Sequence, residues 1–181
     1  MDGVIIDHTE NKIALARSFG VTLTPNETHS EILPTLMQHD DYLALQDRLY
    51  GGGELALSAP MFDGALDTLT YMRKQKFPFV LITRRRNPEH AIALLSARGL
   101  WGEIFTEKNT FFVDEPEEKN TVGVRLGVTH FFDDERRVLR VMEDIPERFL
   151  MDTHRLFDDE SQFPRMFDWG MVCDELMLRG V

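Results

Sequence analysis

Residues 77–83 read FPFVLIT, a short and nearly continuous apolar run of the kind that forms a strand buried on both faces of a sheet. A second apolar run, VTHFF at residues 128–132, leads directly into Asp133 and Asp134. Helical patterns lie on both sides of each run. Strands that alternate with helices in this way predict an α/β fold with a doubly wound parallel sheet.

The flanking sequence extends this pattern. Asn87 and Pro88 predict the start of a helix that Gly99 ends, because proline favours the first helical position and glycine the end. A further strand is expected either at residues 104–105 or at residues 111–113. Apolar stripes predict other helices in residues 65–72, 118–126, 138–142 and 169–176, and residues 148–151 have a strand pattern.

Residues 8–59 have a helical pattern throughout and no strand pattern. Thr28 and Glu31 stand at the spacing of a capping box and predict the start of a helix. Three consecutive glycines, residues 51–53, end the pattern. No Gly-Lys-Ser/Thr follows them, so they do not form a phosphate-binding P-loop. We interpret the triplet as a flexible joint.

Composition excludes several classes of function. The formal net charge of −11 argues against binding to nucleic acid or to an anionic membrane as the main task. The single cysteine, Cys173, excludes an intrachain disulfide. No signal peptide is recognisable, and no apolar stretch approaches the ~20 residues of a membrane helix. A cytoplasmic protein is expected.

Polar residues stand where the predicted strands end. In doubly wound sheets, ligands bind at the carboxyl ends of the strands. Thr83 ends the first apolar run, and Asp133 and Asp134 end the second. Asp2 opens the chain, and Lys119 lies near the start of a predicted helix. Their order along the chain is Asp, Thr, Lys, Asp-Asp.

These motifs resemble those of the haloacid dehalogenase superfamily, most of whose members are magnesium-dependent phosphatases. The matching motifs are DGVIID, the threonine of VLITRRRN, Lys119 and HFFDDERRVL. The resemblance covers residues 1–7 and 60–143. It implies a Rossmann-like α/β core, formed by residues 1–7 and 60–181. Residues 8–59 resemble the small helical cap that many members carry after the first motif.

The resemblance also implies roles for individual residues. Asp2 would donate a proton to the leaving alcohol and then take one from water. Its backbone carbonyl would bind Mg²⁺ together with the carboxylates of Asp133 and Asp134. Thr83 would bind a phosphate oxygen, and Lys119 would neutralise the phosphate. Mg²⁺ and the lysine would remove the repulsion between an attacking carboxylate and the phosphate.

The implied activity is hydrolysis of a small phosphorylated metabolite, a phosphoric monoester, through an aspartyl-phosphate. In the family pattern the nucleophilic aspartate precedes the residue that is Met1 here. We therefore expect Met1 to be an internal methionine of a longer Asp-Met-Asp-Gly motif and the chain as it stands to be inactive. The alternative is a non-catalytic relative that binds a ligand or acts as a scaffold.

Several assignments have an alternative. Lys108 is a second candidate for the active-site lysine. Arg84, Arg85 and Arg86 are either a solvated charge run or contain an arginine that binds a second anionic group of the substrate. Asp133 and Asp134 could instead cap the following helix. Nothing in the sequence identifies the substrate or the oligomeric state.

Overall fold

The computed structural model describes residues 1–85 and 87–178, and its strands are parallel, as the sequence predicts. Arg86 and residues 179–181 lie outside the described residues. Strand β1 (Leu81–Arg84) pairs with β2 (Thr110–Val113). Strand β4 (Glu147–Met151) lies between β3 (His130–Asp133) and β5 (Arg165–Met166). The predicted α/β fold is confirmed. The described strands are parallel to their neighbours, but they form two separate sheets instead of the single sheet that was predicted.

Helices precede, separate and follow the strands. They are α1 (Thr9–Ser18), α2 (Leu33–Leu36), α3 (His39–Tyr50), α4 (Glu54–Ser58), α5 (Ala65–Lys74), α6 (Pro88–Ala97), α7 (Pro116–Leu126), α8 (Arg136–Val141) and α9 (Trp169–Leu178). Asn87 begins α6 as predicted, because its side chain accepts a hydrogen bond from the Glu89 amide. No helix in the described part of the chain is long and apolar enough to cross a membrane.

The two sheets are joined through a common apolar core. One buried cluster contains Leu81 of β1 and Phe149 and Met151 of β4. The same cluster contains Met1 and the apolar side chains of residues 4–6. The first residues of the chain therefore pack in the core that the two sheets share.

The helical segment that precedes α5 has a separate apolar centre. Its buried members come from α1, α2, α3 and the loops between them: Ile13, Leu15, Ala16, Leu23, Leu33, Met37, Leu45 and Leu49. A segment with its own core can pack against the α/β part as a unit. The boundaries of a cap at residues 8–59 and its role stay predictions.

The first predicted strand is shorter than its apolar run. Strand β1 begins at Leu81 rather than at residue 77, and it continues through Arg84, so Thr83 is its penultimate residue. Pro78 lacks a backbone N–H, which disfavours an internal strand position. Of the two candidates for the next strand, residues 110–113 form β2. The amides of Ile104 and Phe105 instead donate to the Leu100 carbonyl in a turn.

The predicted capping box at Thr28 and Glu31 is wrong. The Thr28 hydroxyl donates to the Pro25 carbonyl, and Glu31 is engaged by a residue of the α/β part. The reciprocal Thr–Glu contact occurs one turn earlier, where Glu27 accepts hydrogen bonds from the amide and hydroxyl of Thr24. Two Thr-x-x-Glu sequences follow each other here, and only tertiary packing decides which one caps a turn.

The glycine triplet follows α3 and packs against α6. Gly52 has a φ of +76°, and a Cβ at this position would come within 2.7 Å of the His90 ring. The His90 Nδ1 atom is also 3.2 Å from the backbone carbonyl oxygen of Tyr50, the last residue of α3. Glycine at position 52 therefore allows the turn to approach α6 closely. Flexibility of the triplet stays a prediction.

Candidate active site

A cavity of about 460 Å³ lies at the carboxyl ends of β1 and β3. Its wall includes the residues for which the motifs predict a site role. These residues are Asp2, Thr83, Arg84, Arg85, Lys119, Asp133 and Asp134. They come from widely separated parts of the chain, and the fold brings them to one place.

The strands and one helix position the central members of this group. Thr83 is buried near the end of β1, and Asp133 is the buried last residue of β3. Lys119 is near the start of α7, and only 7% of its surface is exposed. The carboxyl ends of parallel strands point to the same edge, which is why a threonine and an aspartate from distant parts of the chain line one cavity.

Lys119 and Asp133 form a buried ion pair. The Nζ atom lies 2.8 Å from Asp133 Oδ2, and each side chain is 9% exposed. The other carboxylate oxygen of Asp133 accepts a hydrogen bond from the Glu135 amide. Lys108 is exposed and is not part of the cavity wall. Of the two candidate lysines, the structure therefore brings Lys119 to the site.

The Asp2 carboxylate is held from two sides. Its Oδ1 atom accepts a 2.7 Å hydrogen bond from Arg85 and lies 2.8 Å from His8 Nε2. Burial alone would raise the pKa of Asp2, but the Arg85 charge and the His8 hydrogen bond hold this pKa well below its ordinary value. The Arg85 and His8 contacts therefore stabilise the ionised form of the Asp2 carboxyl group.

Arg85 connects Asp2 to the helical segment. Its guanidinium carbon lies 4.4 Å from the centre of the Tyr50 ring, and the Tyr50 ring in turn makes an edge contact with His8. The Arg85 Nε atom is buried and has no hydrogen-bond partner among the described residues. Arg85 also lines the cavity, so its guanidinium group supplies a positive charge at the cavity wall.

The surroundings of Asp134 disfavour the ionised form of its carboxyl group. Burial raises the pKa of its carboxyl to about 7, and the charges of Asp133 and Glu135 add to the effect. The carboxylate packs against Gly3, where a Cβ atom, if present, would lie only 2.0 Å from Oδ2. Gly3 has a φ of +72°, so both its backbone conformation and this close approach favour glycine.

The oxygen donors at this edge fit a hard cation such as Mg²⁺, although one of the two adjacent carboxylates is already engaged. Asp133 is bonded to Lys119, whereas the ionised form of Asp134 is disfavoured by burial and by the charges of Asp133 and Glu135, which a cation would offset. Asp2 could add its backbone carbonyl, and water could complete the coordination. Among the described residues, no group of three or more His, Cys, Asp and Glu side chains is arranged to bind a metal.

The cavity wall also contains residues for which the sequence predicts no role. Helix α3 contributes Tyr42, Gln46 and Tyr50, which are four positions apart and therefore share one helical face. Helix α6 contributes His90. The regular spacing on α3 was visible in the sequence, but the tyrosines could equally have served the apolar core. Arg84 lines the cavity with an exposed side chain, and Arg86 lies outside the described residues.

Comparison with known proteins identifies the fold. No protein-family model and no curated protein matches the sequence. Solved structures do match, among them a HAD hydrolase, family IA, variant 3, from Entamoeba histolytica. It is 16% identical with a TM-score of 0.65, and the match covers 98% of this chain and 96% of that chain.

Two further structures agree with this result. A HAD-superfamily hydrolase from Ehrlichia chaffeensis is 12% identical with a TM-score of 0.57, over 96% of this chain and 91% of that one. A hydrolase from Streptococcus pneumoniae is 11% identical with a TM-score of 0.52, over 99% and 96%. At these identities the likeness concerns the fold. The chain has a haloacid dehalogenase-like fold, as the sequence motifs predict.

Proposed function

We propose that this protein is a magnesium-dependent hydrolase of phosphate monoesters and that its substrate is a small phosphorylated metabolite. One observation carries the proposal. Asp2, Thr83, Lys119 and the pair Asp133-Asp134 come from four separate parts of the chain and line a single cavity. Their chemistry is what phosphoryl transfer requires: cations for the phosphate, carboxylates for the metal and a group that exchanges protons.

Phosphate binding is assigned to Thr83, Lys119 and Arg85. The threonine hydroxyl can donate to one phosphate oxygen, while the lysine and the arginine supply positive charge. Both cationic side chains are almost fully buried, at 9% exposure each. Water therefore screens them little, and a dianionic phosphate gains more from them than from surface cations. Arg84, which is exposed at the same wall, is assigned to a second anionic group of the substrate.

Proton transfer is assigned to Asp2. The carboxylate is within hydrogen-bond distance of His8 and Arg85, which fix its orientation toward the cavity. A phosphate next to Arg85 competes with Asp2 for the guanidinium. Binding of the substrate would therefore weaken the contact that keeps Asp2 ionised, and a carboxyl that is less firmly ionised serves better as a proton donor.

The metal role is assigned to Asp134 and the Asp2 backbone carbonyl, with Asp133 holding Lys119 beside them. Magnesium, when bound, would reduce the negative charge of the phosphate during attack. This role for Asp133 differs from the metal-binding role that the family resemblance implies. Its contact with Lys119 orients the lysine, and a second carboxylate becomes available to a metal only if that contact changes.

The nucleophile of this proposal is an aspartate immediately before Met1. The family pattern has it there, so the proposal concerns a polypeptide that includes this position. A test therefore needs two proteins: the 181-residue chain and a form that starts at the upstream residues of its reading frame. Both would be screened with Mg²⁺ against a panel of small phosphate esters by measuring released inorganic phosphate.

The screen separates the alternatives. We expect phosphate release by the extended form, its loss when EDTA removes the metal, and little release by the shorter chain. Release by neither form, with both folded, contradicts the proposal and supports a non-catalytic relative. An upstream reading frame without an aspartate at that position contradicts the assigned nucleophile.

A further inference from the structure

The helical segment contacts residues 134–135, which join β3 to α8 and are called the acidic loop below. His29 Nε2 lies 3.0 Å from the backbone carbonyl oxygen of Asp134. His29 Nδ1 accepts a hydrogen bond from the Glu31 amide at 3.2 Å. Because Nδ1 acts as an acceptor, Nε2 carries the ring proton and donates the hydrogen bond to the backbone carbonyl of Asp134. The imidazole thus links two parts of the chain that are 105 residues apart.

Glu31 makes a second link, two residues further along. Its Oε2 atom accepts two hydrogen bonds from the Arg136 guanidinium, at 2.6 and 3.1 Å. Its Oε1 atom accepts a third hydrogen bond from the Arg136 amide. Arg136 is the first residue of α8, whose N-cap residue provides no side-chain cap. Glu31 therefore caps this helix from another part of the chain.

Phe157 completes the arrangement. The Arg136 guanidinium lies 4.0 Å from the centre of its ring, and the His29 ring meets it edge-on at 4.9 Å. Phe157 is buried, and its amide donates to the buried carboxylate of Asp152. The two side chains that contact this ring therefore share a fixed apolar support beside the acidic loop.

From these contacts we propose that His29 and Glu31 are positioning residues, which hold the acidic loop so that the Asp134 carboxylate faces the cavity. The inference rests on the proposed metal role of Asp134. Docking of the helical segment and the geometry of the metal site then depend on each other. Without the two contacts, the acidic loop would be anchored to the fold mainly through the ends of β3 and α8.

The test compares Glu31→Ala with Glu27→Ala. Glu27 is a suitable control because its carboxylate lies in the same segment and, among the described residues, accepts hydrogen bonds from Thr24 only. Three properties are measured by NMR and EPR on the whole chain: hydrogen exchange of the Arg136 amide, the ¹³C shift of the Asp134 carboxyl, and affinity for Mn²⁺. Glu31→Gln, which keeps a carbonyl acceptor, is a second variant.

We expect Glu31→Ala to speed exchange of the Arg136 amide at least tenfold and to shift the Asp134 carboxyl resonance. Mn²⁺ affinity should fall about tenfold, since residues that orient a metal ligand typically contribute about 10–100-fold. Glu31→Gln should retain part of the amide protection, and Glu27→Ala should leave all three properties unchanged.

Two results would overturn the inference. One is unchanged exchange at Arg136, which would mean that Glu31 does not hold the loop. The other is faster exchange with an unmoved Asp134 resonance, which would make the contact structural only. If the unmodified chain binds no Mn²⁺ but the Asp134 resonance still moves in Glu31→Ala, the positioning role stands and the metal of the proposed function fails.

Discussion

Arg85 donates a 2.7 Å hydrogen bond to Asp2, a residue 83 positions earlier, and it does so with a side chain that is only 9% exposed. The same guanidinium packs on Tyr50 of α3. This relationship joins the start of the chain, the end of β1 and the helical segment at one cavity. It makes Arg85 the first residue at which to test the site.

Replacing Arg85 with glutamine should weaken binding of inorganic phosphate at least tenfold, because a buried cation is lost from the cavity wall. Stability should fall by about 2 kcal/mol, since Asp2 loses a charge-assisted hydrogen bond while remaining mostly buried. Calorimetric titration with phosphate and urea unfolding measure the two effects. Arg84→Gln is the matched control, because Arg84 is exposed at the same wall and should matter less. Equal phosphate affinity in both variants would exclude Arg85 from the phosphate site.

Gly3→Ala should destabilise the protein more than Gly20→Ala. Both glycines have positive φ values, of 72° and 77°, so both substitutions incur a similar backbone cost of about 1 kcal/mol. A Cβ at position 20 meets no atom within 4 Å, whereas one at position 3 collides with the Asp134 carboxylate. We expect Gly3→Ala to lower the free energy of unfolding, measured with urea, by about 2 kcal/mol, because overpacking adds to the backbone strain. Identical costs would show that Asp134 does not pack against Gly3.

Lys119→Met should be strongly destabilising. It leaves the Asp133 carboxylate buried without its partner, and breaking a buried pair in this way costs about 3–5 kcal/mol. Adding Asp133→Asn to the variant should restore part of the loss, because the uncompensated charge disappears. Lys108→Met, at the exposed alternative lysine, should change stability by less than about 0.5 kcal/mol. A small effect of Lys119→Met in thermal or urea unfolding would contradict the buried pair.

The Glu31–Arg136 pair should make stability depend on pH in the acidic range. Burial tends to raise the pKa of Glu31, but the hydrogen bonds and charge of Arg136 bring it below the ordinary value of 4.5. The pair therefore contributes fully above about pH 4.5, and its contribution disappears as the pH falls through the lowered pKa. Glu31→Gln should lower the free energy of unfolding by about 1 kcal/mol at pH 7, and by progressively less below about pH 4.5. A cost that is constant over this range would contradict the prediction.

The parts of the fold that sequence patterns predicted well are those set by local chemistry. Asn87 and Pro88 begin α6, as their side-chain and ring geometry favour, and β3 overlaps the VTHFF run and ends at Asp133. Strand limits were less accurate. A continuous apolar run does not mark its own start, and β5, with two residues, is too short to leave a pattern.

The site, too, could be predicted only in part, but the reason differs from the one that limited the strand predictions. Asp2, Thr83, Lys119, Asp133 and Asp134 are brought together because strand ends in this fold share an edge. The contacts of His29 and Glu31 depend on how the helical segment docks, and partners 105 positions apart have no local signal. The incorrect capping box at Glu31 shows this directly, because the carboxylate that local spacing assigned to its own helix caps α8 instead.

The proposed function depends above all on phosphate binding by Thr83, Lys119 and Arg85. The most direct measurement is a crystal structure of the 181-residue chain with tungstate, a phosphate analogue that scatters strongly and does not require the nucleophile. We expect one ordered tungstate within hydrogen-bond distance of the Thr83 hydroxyl, Lys119 Nζ and the Arg85 guanidinium. An empty cavity, with tungstate bound only at exposed arginines elsewhere, would contradict the claim.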